Sequence, residues 1–146
     1  MSDLSRLLYV SRPRIDVTDQ DEIGRLMSQC AVNNRRRAIT GLLAMNRSAF
    51  VQLLEGPHAA LQALSTRLAA DRRHSDFKIL AFKRAAARVF PAWSMALPST
   101  ASQAASPLAD YDTLAASSSD VVLKQISAYQ AHLELSQPSA EERLRA

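Results

Sequence analysis

Hydrophobic and polar residues alternate with two different periods along the chain, and each period predicts one kind of element. Between Ile23 and Ala31 the apolar residues recur every three or four positions, which predicts an amphipathic helix. Thr18 and Asp21 precede it as a variant of the capping box, in which side-chain oxygens satisfy the first free N–H groups. Asn33–Asn34 are expected to end the helix, because asparagine tolerates the left-handed backbone conformation.

A second helix and five strands complete the pattern over the first 97 residues. Leu61, Leu64 and Leu68 predict the helix, and Pro57 is expected at its first position, where a missing N–H costs nothing. Five apolar or β-branched runs predict strands: "RLLYVS", "AITGLLAMN", "AFVQLLE", "FKILAFK" and "WSMAL". The order β-α-β-β-α-β-β predicts an α+β, ferredoxin-like fold, a mixed five-stranded sheet with two helices on one face.

The third predicted strand is apolar on both faces, apart from one amide. Its alternating positions place Phe50 and Leu54 with Gln52 on one face and Val51 and Leu53 on the other. Both faces are therefore predicted to be covered. A buried amide without a partner costs about 1–3 kcal/mol, so Gln52 needs a hydrogen bond. Tyr9 in the first strand is a candidate, in an ordinary core bond or in a functional one.

The composition changes after Leu97. Residues 98–106 are rich in Pro, Ser and Ala and are predicted to be a linker between a domain at 1–97 and the C-terminal segments. Helical segments are predicted at 108–116 and 120–135, the second with Ser119 as its cap. They are expected to form a cap, residues 107–135, over the second sheet face, and residues 136–146 a flexible tail.

Composition narrows the class of protein. Apolar residues make up 47% of the chain and the net charge is +4, as in folded domains. We expect a cytoplasmic protein without a membrane partner, since the sequence has one cysteine and neither a secretory signal nor a membrane-spanning run. The three histidines are scattered, so no metal site is expected.

Charge is distributed unevenly along the chain. Residues 1–97 carry 15 Lys/Arg and 8 Asp/Glu, whereas residues 98–146 carry 3 and 6. Arg35, Arg36 and Arg37 form a basic run, which we interpret as a solvated loop rather than a nucleic-acid site, because no aromatic residues alternate with the charges. The acidic C-terminal segment is expected to dock on the basic body or on a partner.

Several segments, taken together in their order and spacing, resemble one known family. They are "RLLYVS", "NNRRRAITGLLAMNRSAFVQLLEGP", "RLAADRRH" and "FPAWSM". The chain is similar from Arg6 to about Leu97 to the BLUF domain, a sensor of blue light using flavin, in its short single-domain form. The family's ferredoxin-like fold agrees with the order of elements predicted above, and its C-terminal helices agree with the predicted cap.

The resemblance implies a flavin between the two long helices, most commonly FAD in the family, with FMN or riboflavin as alternatives. The ring edge would face Tyr9 and Gln52. Asn34 would bond the ring carbonyl and N3, and Leu26 and Leu68 would sandwich the ring. Cys30 would fill space beside the ring or tune the dark recovery, with space-filling favoured. Arg67, Asp71 and His74 would lie toward the ribityl-phosphate end. Trp93 and Met95, on one face of the last strand, would belong to the photoactive set.

The same resemblance implies a photoreceptor and not an enzyme. Light would draw an electron and a proton from Tyr9, and Gln52 would end up rearranged by rotation, tautomerisation or both. The output is expected to be an unidentified partner protein or the chain's own oligomer.

Two readings from other classes remain open at this level. One is a flavin-free ferredoxin-like interaction module, in which Tyr9 and Gln52 are core polar residues. The other is a small phosphate-handling enzyme that uses Arg67 and Asn34, which ranks last because no nucleophile or activated base accompanies them.

Overall fold

A computed structural model describes residues 3–89, 94–95 and 108–136, and it confirms the predicted α+β class and element order. The helices and strands are β1 (Leu4–Pro13), α1 (Gln20–Arg35), β2 (Thr40–Met45), β3 (Phe50–Pro57), α2 (His58–Ala70), β4 (His74–Arg84), β5 (Ser94–Met95), α3 (Tyr111–Ala116) and α4 (Ser119–Ser136). Trp93, the predicted linker and nearly all of the predicted tail lie outside the described residues.

The strands form one mixed sheet in the order β4-β1-β3-β2-β5. Neighbouring strands are antiparallel, except that β5 runs parallel to β2. The register places four positions in one row across four strands: Tyr9, Gln52, Leu43 and Met95. Gln52, the buried amide residue of β3, therefore lies on the central strand of the sheet.

Three helix starts differ from the sequence-based prediction. Asp19, not Thr18, caps α1, and its carboxylate accepts from the backbone N–H groups of the next turn. Pro57 is the N-cap of α2 instead of its first residue, because it still belongs to β3 with extended backbone. The Ser118 hydroxyl, and not that of Ser119, accepts the Val121 N–H at the start of α4. In each case the prediction is off by one position.

Both sheet faces are buried, as the pattern of β3 predicts. Helices α1 and α2 cover the sheet face that carries Gln52. Leu26 of α1 and Leu61 of α2 are buried there, and so are Leu43 and Phe50 of the sheet. The opposite face packs against α3 and α4 in a cluster that contains Leu8, Val10, Leu42, Val51, Leu53, Leu114, Val122 and Ile126. The C-terminal helices thus remove from water a face that an isolated single-layer sheet would expose.

Polar contacts fasten α3 to the sheet at the β2–β3 turn. Asn46 Oδ1 accepts from the backbone of Ser48 and Ala49, which closes the turn. Its Nδ2 donates to the carbonyl oxygens of Leu108 and Ala109 at 3.1 and 3.0 Å. The predicted hairpin turn therefore also positions the start of the C-terminal helices.

No helix in the described part of the chain combines the length and the hydropathy that crossing a membrane requires.

Candidate functional site

Two adjoining cavities lie between α1, α2 and the sheet. The larger has a volume of about 240 Å³ and the smaller about 40 Å³. They share five lining residues, namely Cys30, Gln52, Leu68, Asp71 and Arg73. Gln29, Cys30, Asn33 and Asn34 reach the larger cavity because they lie on adjacent turns of one face of α1.

Tyr9 and Gln52 meet at the inner end of this space. Their backbones are directly opposite in the β1–β3 ladder, and Tyr9 Oη donates to Gln52 Oε1 at 2.6 Å. Both residues are only 3% exposed. Burial raises the pKa of the Tyr9 phenol well above its ordinary value, and the neighbouring Cys30 and Asp71 raise it further. The phenol is therefore a neutral hydrogen-bond donor at physiological pH.

Two buried amides on the cavity wall have unused hydrogen-bonding capacity. Asn34 is 4% exposed, and no residue in the described ranges bonds its side-chain amide. Gln52 uses its oxygen toward Tyr9, while its Nε2 finds no partner among the same residues. Each unsatisfied buried group costs about 1–3 kcal/mol. The wall is therefore built to bond something that lies in the cavity.

His74 lies beside Tyr9 at the inner end of the site. Its ring centroid is 6.1 Å from that of Tyr9, in an edge-on arrangement. Nε2 lies 2.5 Å from the Leu68 carbonyl oxygen, and Nδ1 lies 2.7 Å from Ser11 Oγ. Because a carbonyl only accepts, Nε2 carries the proton and Nδ1 can accept from the serine. The ring orientation is thus determined from both sides.

Asp71 and Arg73 form a charged pair across the floor of both cavities. Arg73 Nη2 donates to Asp71 Oδ2 at 2.6 Å, and Nη1 donates to Gln29 Oε1 of α1 at 2.9 Å. The Arg73 hydrogen bonds hold the pKa of the Asp71 carboxyl below its ordinary value. The pair links the end of α2 to α1 and gives the cavity one positive and one negative wall group.

The remaining predicted residues lie where the cavities meet or at their edge. Leu26 lines the smaller cavity and Leu68 lines both, so the two leucines come from different helices. Burial raises the pKa of the Cys30 thiol, which favours its protonated, less nucleophilic form. Arg67 is exposed at the edge of the larger cavity. The structure thus separates Arg67 at the outer edge from His74 at the inner end.

Comparison with known proteins decides the family. The sequence profile described as "BLUF: Sensors of blue-light using FAD" matches residues 4–96. The chain belongs to the BLUF family.

The chain is similar to curated proteins of different kinds and to solved structures. The chain is 31% identical over 93 residues to photoactivated adenylate cyclase subunit beta of Euglena gracilis, a match that covers 63% of this chain and 11% of that protein. It is 31% identical over 90 residues to the blue light- and temperature-regulated antirepressor BluF of Escherichia coli, covering 60% and 21%. The match thus spans about a tenth to a fifth of the length of these curated relatives.

A solved structure matches more of its own length. The dark-state structure of BlrB, a BLUF protein, is 36% identical, has a TM-score of 0.63, and covers 73% of this chain and 80% of that chain. This chain is therefore similar to BlrB both in sequence and in three-dimensional fold.

Most of the predicted site residues of this BLUF domain come together around the cavities. Tyr9, Leu26, Cys30, Asn34, Gln52, Arg67, Leu68, Asp71 and His74 all line one or both of them. For Met95 the structure gives only the register opposite Leu43. The prediction missed Arg73 and Gln29. Asp71 was an available signal for Arg73. An aspartate side chain often accepts from the backbone N–H two residues later, and this turn brings Arg73 close to Asp71.

The residues that line the cavities fit a flavin. The Asn34 amide and the Gln52 nitrogen, which have no partner among the described residues, match the carbonyl, ring-nitrogen and N–H groups on a flavin edge. Leu26 and Leu68 supply apolar walls suited to its flat faces. Within the described residues, no three His, Cys, Asp or Glu side chains are grouped to hold a metal ion.

Proposed function

We propose that this chain is a blue-light sensor that holds a flavin non-covalently between α1 and α2 and signals by rearranging the bonds of Gln52. The observation that carries the proposal is the position of Gln52, whose oxygen is bonded to Tyr9 while its nitrogen lies on the cavity wall without a partner among the described residues. Membership of the BLUF family supports flavin as the ligand. FAD is the flavin that we assign, following the family description.

The site residues have distinct roles in this proposal. Asn34 bonds the polar edge of the flavin, Leu26 and Leu68 contact its faces, and Cys30 fills the space beside them. Asp71 and Arg73 supply charge-assisted hydrogen bonds at the cavity floor, and Arg67 serves the outer end, where a phosphorylated tail leaves the pocket. His74 holds its position beside Tyr9 and keeps the phenol oriented.

A bound flavin supplies absorption of blue light and, once excited, an electron acceptor. Loss of an electron from Tyr9 to that acceptor would make its phenol strongly acidic, and the proton would then move to Gln52 Oε1 along their 2.6 Å hydrogen bond. An amide has a donor end and an acceptor end of nearly the same shape, so Gln52 can bond Tyr9 and the cavity in two ways. The two arrangements can differ little in energy, which is what a reversible switch requires.

The output that we propose is a separate protein or a second copy of this chain, and not a reaction in the domain itself. Two relatives, the antirepressor of Escherichia coli and the cyclase subunit of Euglena, are named for different outputs, which supports an output that lies outside the sensor itself. The family match at residues 4–96 supports a sensor at 1–97. The packing of α3 and α4 on the sheet supports a helical cap at 107–135, and we assign residues 98–106 to a linker and 136–146 to a tail.

The test is spectroscopic. The full chain, purified in the dark with added FAD, is expected to show oxidised-flavin absorption bands that shift slightly to the red under blue light and recover in the dark. Parallel titrations with FMN and riboflavin determine which flavin binds most tightly. A chain that takes up none of the three would disprove flavin binding, and one that binds flavin without a reversible shift would disprove the light response.

A further inference from the structure

The described residues that follow β4 on the way to β5 form hydrogen bonds near the ends of three other strands. Residues 87–89 precede β5 (Ser94–Met95) and contact β1, β2 and β3 through hydrogen bonds of side chains and backbone. The flavin site does not use these contacts, since Arg6, Glu55 and Arg88 line neither cavity. We refer to Arg6, Glu55 and Arg88 as the polar clamp.

Arg88 provides the contacts to β2 and β3. Its Nη1 donates to Thr40 Oγ1 at 2.6 Å and to the Glu55 carbonyl oxygen at 2.8 Å, and its Nη2 donates to the Ala38 carbonyl oxygen at 2.8 Å. Ala38 has a backbone φ of 57°, in the left-handed region that a side chain disfavours. One planar guanidinium therefore holds the strained residue that precedes β2, the first residue of β2 and the Glu55 carbonyl of β3.

Glu55 provides the contacts from β3 to the same segment. It is fully buried, and its Oε2 accepts from Arg6 Nε at 3.2 Å and from the Val89 backbone N–H at 2.9 Å. Arg6 also donates from Nη2 to the Ala87 carbonyl oxygen at 3.0 Å. A buried carboxylate has a strong preference for keeping its partners, because losing one leaves a charge uncompensated in the interior.

The clamp has a fixed relationship to the photoactive pair. Arg6, Glu55 and Thr40 form one row across β1, β3 and β2, and Tyr9, Gln52 and Leu43 form a second row. The two rows are three residues apart on every strand, a distance of about 10 Å. A shift of β3 at Gln52 therefore reaches Glu55 through a single stretch of hydrogen-bonded strand.

We propose that the polar clamp couples Gln52 to β5. Arg88 is its positioning residue, because it joins the end of β3 to the segment that enters β5. A rearrangement at Gln52 displaces β3, and the clamp converts this displacement into a change at β5. The light-dependent part of this inference rests on the proposed sensor function, whereas the attachment of β5 through Arg88 does not.

A measurement in the dark tests the attachment. In Arg88→Ala the backbone amides of β5 are expected to exchange hydrogen about tenfold faster than in the wild type, since three hydrogen bonds that resist local opening are lost. Thr40→Val removes one of the three and should act in the same direction by a smaller factor. Arg84→Ala is the matched control, because Arg84 ends β4 in an exposed pair with Asp3. Unchanged β5 exchange in Arg88→Ala overturns the inference.

A measurement under blue light tests the coupling. Trp93 is the single tryptophan of the chain and immediately precedes β5, so its fluorescence reports on that segment. In Arg88→Ala the red shift of the flavin is expected to keep its size, while the light-induced change in Trp93 emission is lost. Both signals should persist in Arg84→Ala.

The outcomes separate the two proposals. A wild-type chain without a red shift contradicts the sensor function. In that case hydrogen exchange measured in the dark still decides whether the polar clamp attaches β5. A full Trp93 response in Arg88→Ala overturns the coupling. Loss of flavin binding in both Arg88→Ala and Thr40→Val would show a general folding role and would also overturn it.

Discussion

Tyr9 and Gln52 lie directly opposite each other on β1 and β3, and the phenol of Tyr9 donates a 2.6 Å hydrogen bond to the amide oxygen of Gln52. This geometry leaves the amide nitrogen for the cavity, where no described residue bonds it. Tyr9 therefore donates its hydroxyl hydrogen to Gln52, whereas Gln52 contacts both Tyr9 and the cavity.

Removing the Tyr9 hydroxyl is expected to abolish the light-induced red shift without loss of flavin. Tyr9→Phe keeps the ring that packs against Phe77 at 4.9 Å between centroids, so the cavity keeps its shape. Tyr111→Phe is the matched control, because the Tyr111 hydroxyl bonds the Asp76 carbonyl near the C-terminal helices. Difference spectra after blue light measure the result. A normal shift in Tyr9→Phe would contradict the role of the phenol.

Replacing Asn34 separates ligand binding from stability. Asn34→Leu is expected to weaken flavin binding about tenfold or more, the cost of losing a buried hydrogen-bond partner. The same change should raise the unfolding free energy of the flavin-free protein, because it removes an unsatisfied buried amide. Gln62→Leu, at an exposed position of α2 that lines neither cavity, is the control. Flavin titration and thermal unfolding measure the two effects, and unchanged affinity in Asn34→Leu would contradict the assignment.

The periodicity of the sequence predicted the helices, the strands and the burial of both sheet faces, because apolar residues recur at the positions that face the core. It placed Gln52 on the same face as Phe50 and Leu54, but it could not choose Tyr9 as the partner. That choice depends on the β1–β3 register, which long-range pairing decides. Helix caps were displaced by one residue because several neighbouring side chains at each start can accept the same N–H groups.

Apart from Gln52 and its candidate partner Tyr9, the residues of the candidate site were predicted only through the family resemblance. Arg73 was missed in a segment with three candidate arginines, since only the turn at Asp71 directs it into the cavity. The sequence indicated that Gln52 needs a hydrogen bond, but it could not show which amide atoms of Gln52 and Asn34 lack a partner among the described residues, because satisfaction of a hydrogen bond depends on every neighbour in the folded chain.

Asp71 is expected to give the protein an acid-sensitive component of stability. Its pKa is lowered by the hydrogen bonds from Arg73, so the folded state favours the ionised carboxylate. This stabilisation is present above the ordinary pKa of about 4 and is lost as the pH falls through the lower folded value. Asp71→Asn should therefore have a lower unfolding free energy at neutral pH and a flatter decline in acid.

Chemical denaturation between about pH 2 and pH 7 measures this difference. Asp112→Asn is the control, because the Asp112 carboxylate is 82% exposed and interacts with Arg12 far from the cavity. Parallel pH profiles for wild type and Asp71→Asn would show that the pair contributes nothing to acid stability.

Cys30 can report on occupancy of the cavity. It is the single cysteine of the chain and lines both cavities, so a thiol reagent labels no other site. Burial raises its pKa, so alkylation at neutral pH is expected to be slow, and bound flavin should slow it further by blocking access. Mass spectrometry over time with and without FAD measures the protection. Equal rates in a chain that binds FAD would place the ligand elsewhere.

Cutting the chain after Leu97 tests the second sheet face. The cut removes Leu114, Val122 and Ile126, which are fully buried against Val51 and its neighbours. An exposed apolar sheet face of this kind promotes association, so the shortened chain is expected to form oligomers or aggregates. Sedimentation velocity measures the change, and a shortened chain that remains monomeric at full stability would contradict the burial.

A point substitution measures the contribution of the same packing in the intact chain. Leu114 is fully buried against the sheet, and Leu114→Ala is expected to lower the unfolding free energy by about 2–5 kcal/mol, the sum of lost transfer energy and a cavity. Val121 lies on the exposed side of α4 with 46% of its surface accessible, so Val121→Ala should change the unfolding free energy by about 0.5 kcal/mol or less. Equal effects of the two substitutions in urea denaturation would mean that α3 does not pack on the sheet in solution. A large effect of Leu114→Ala alone, with an unaltered flavin spectrum, would show that the C-terminal helices stabilise the sheet from the face opposite the site.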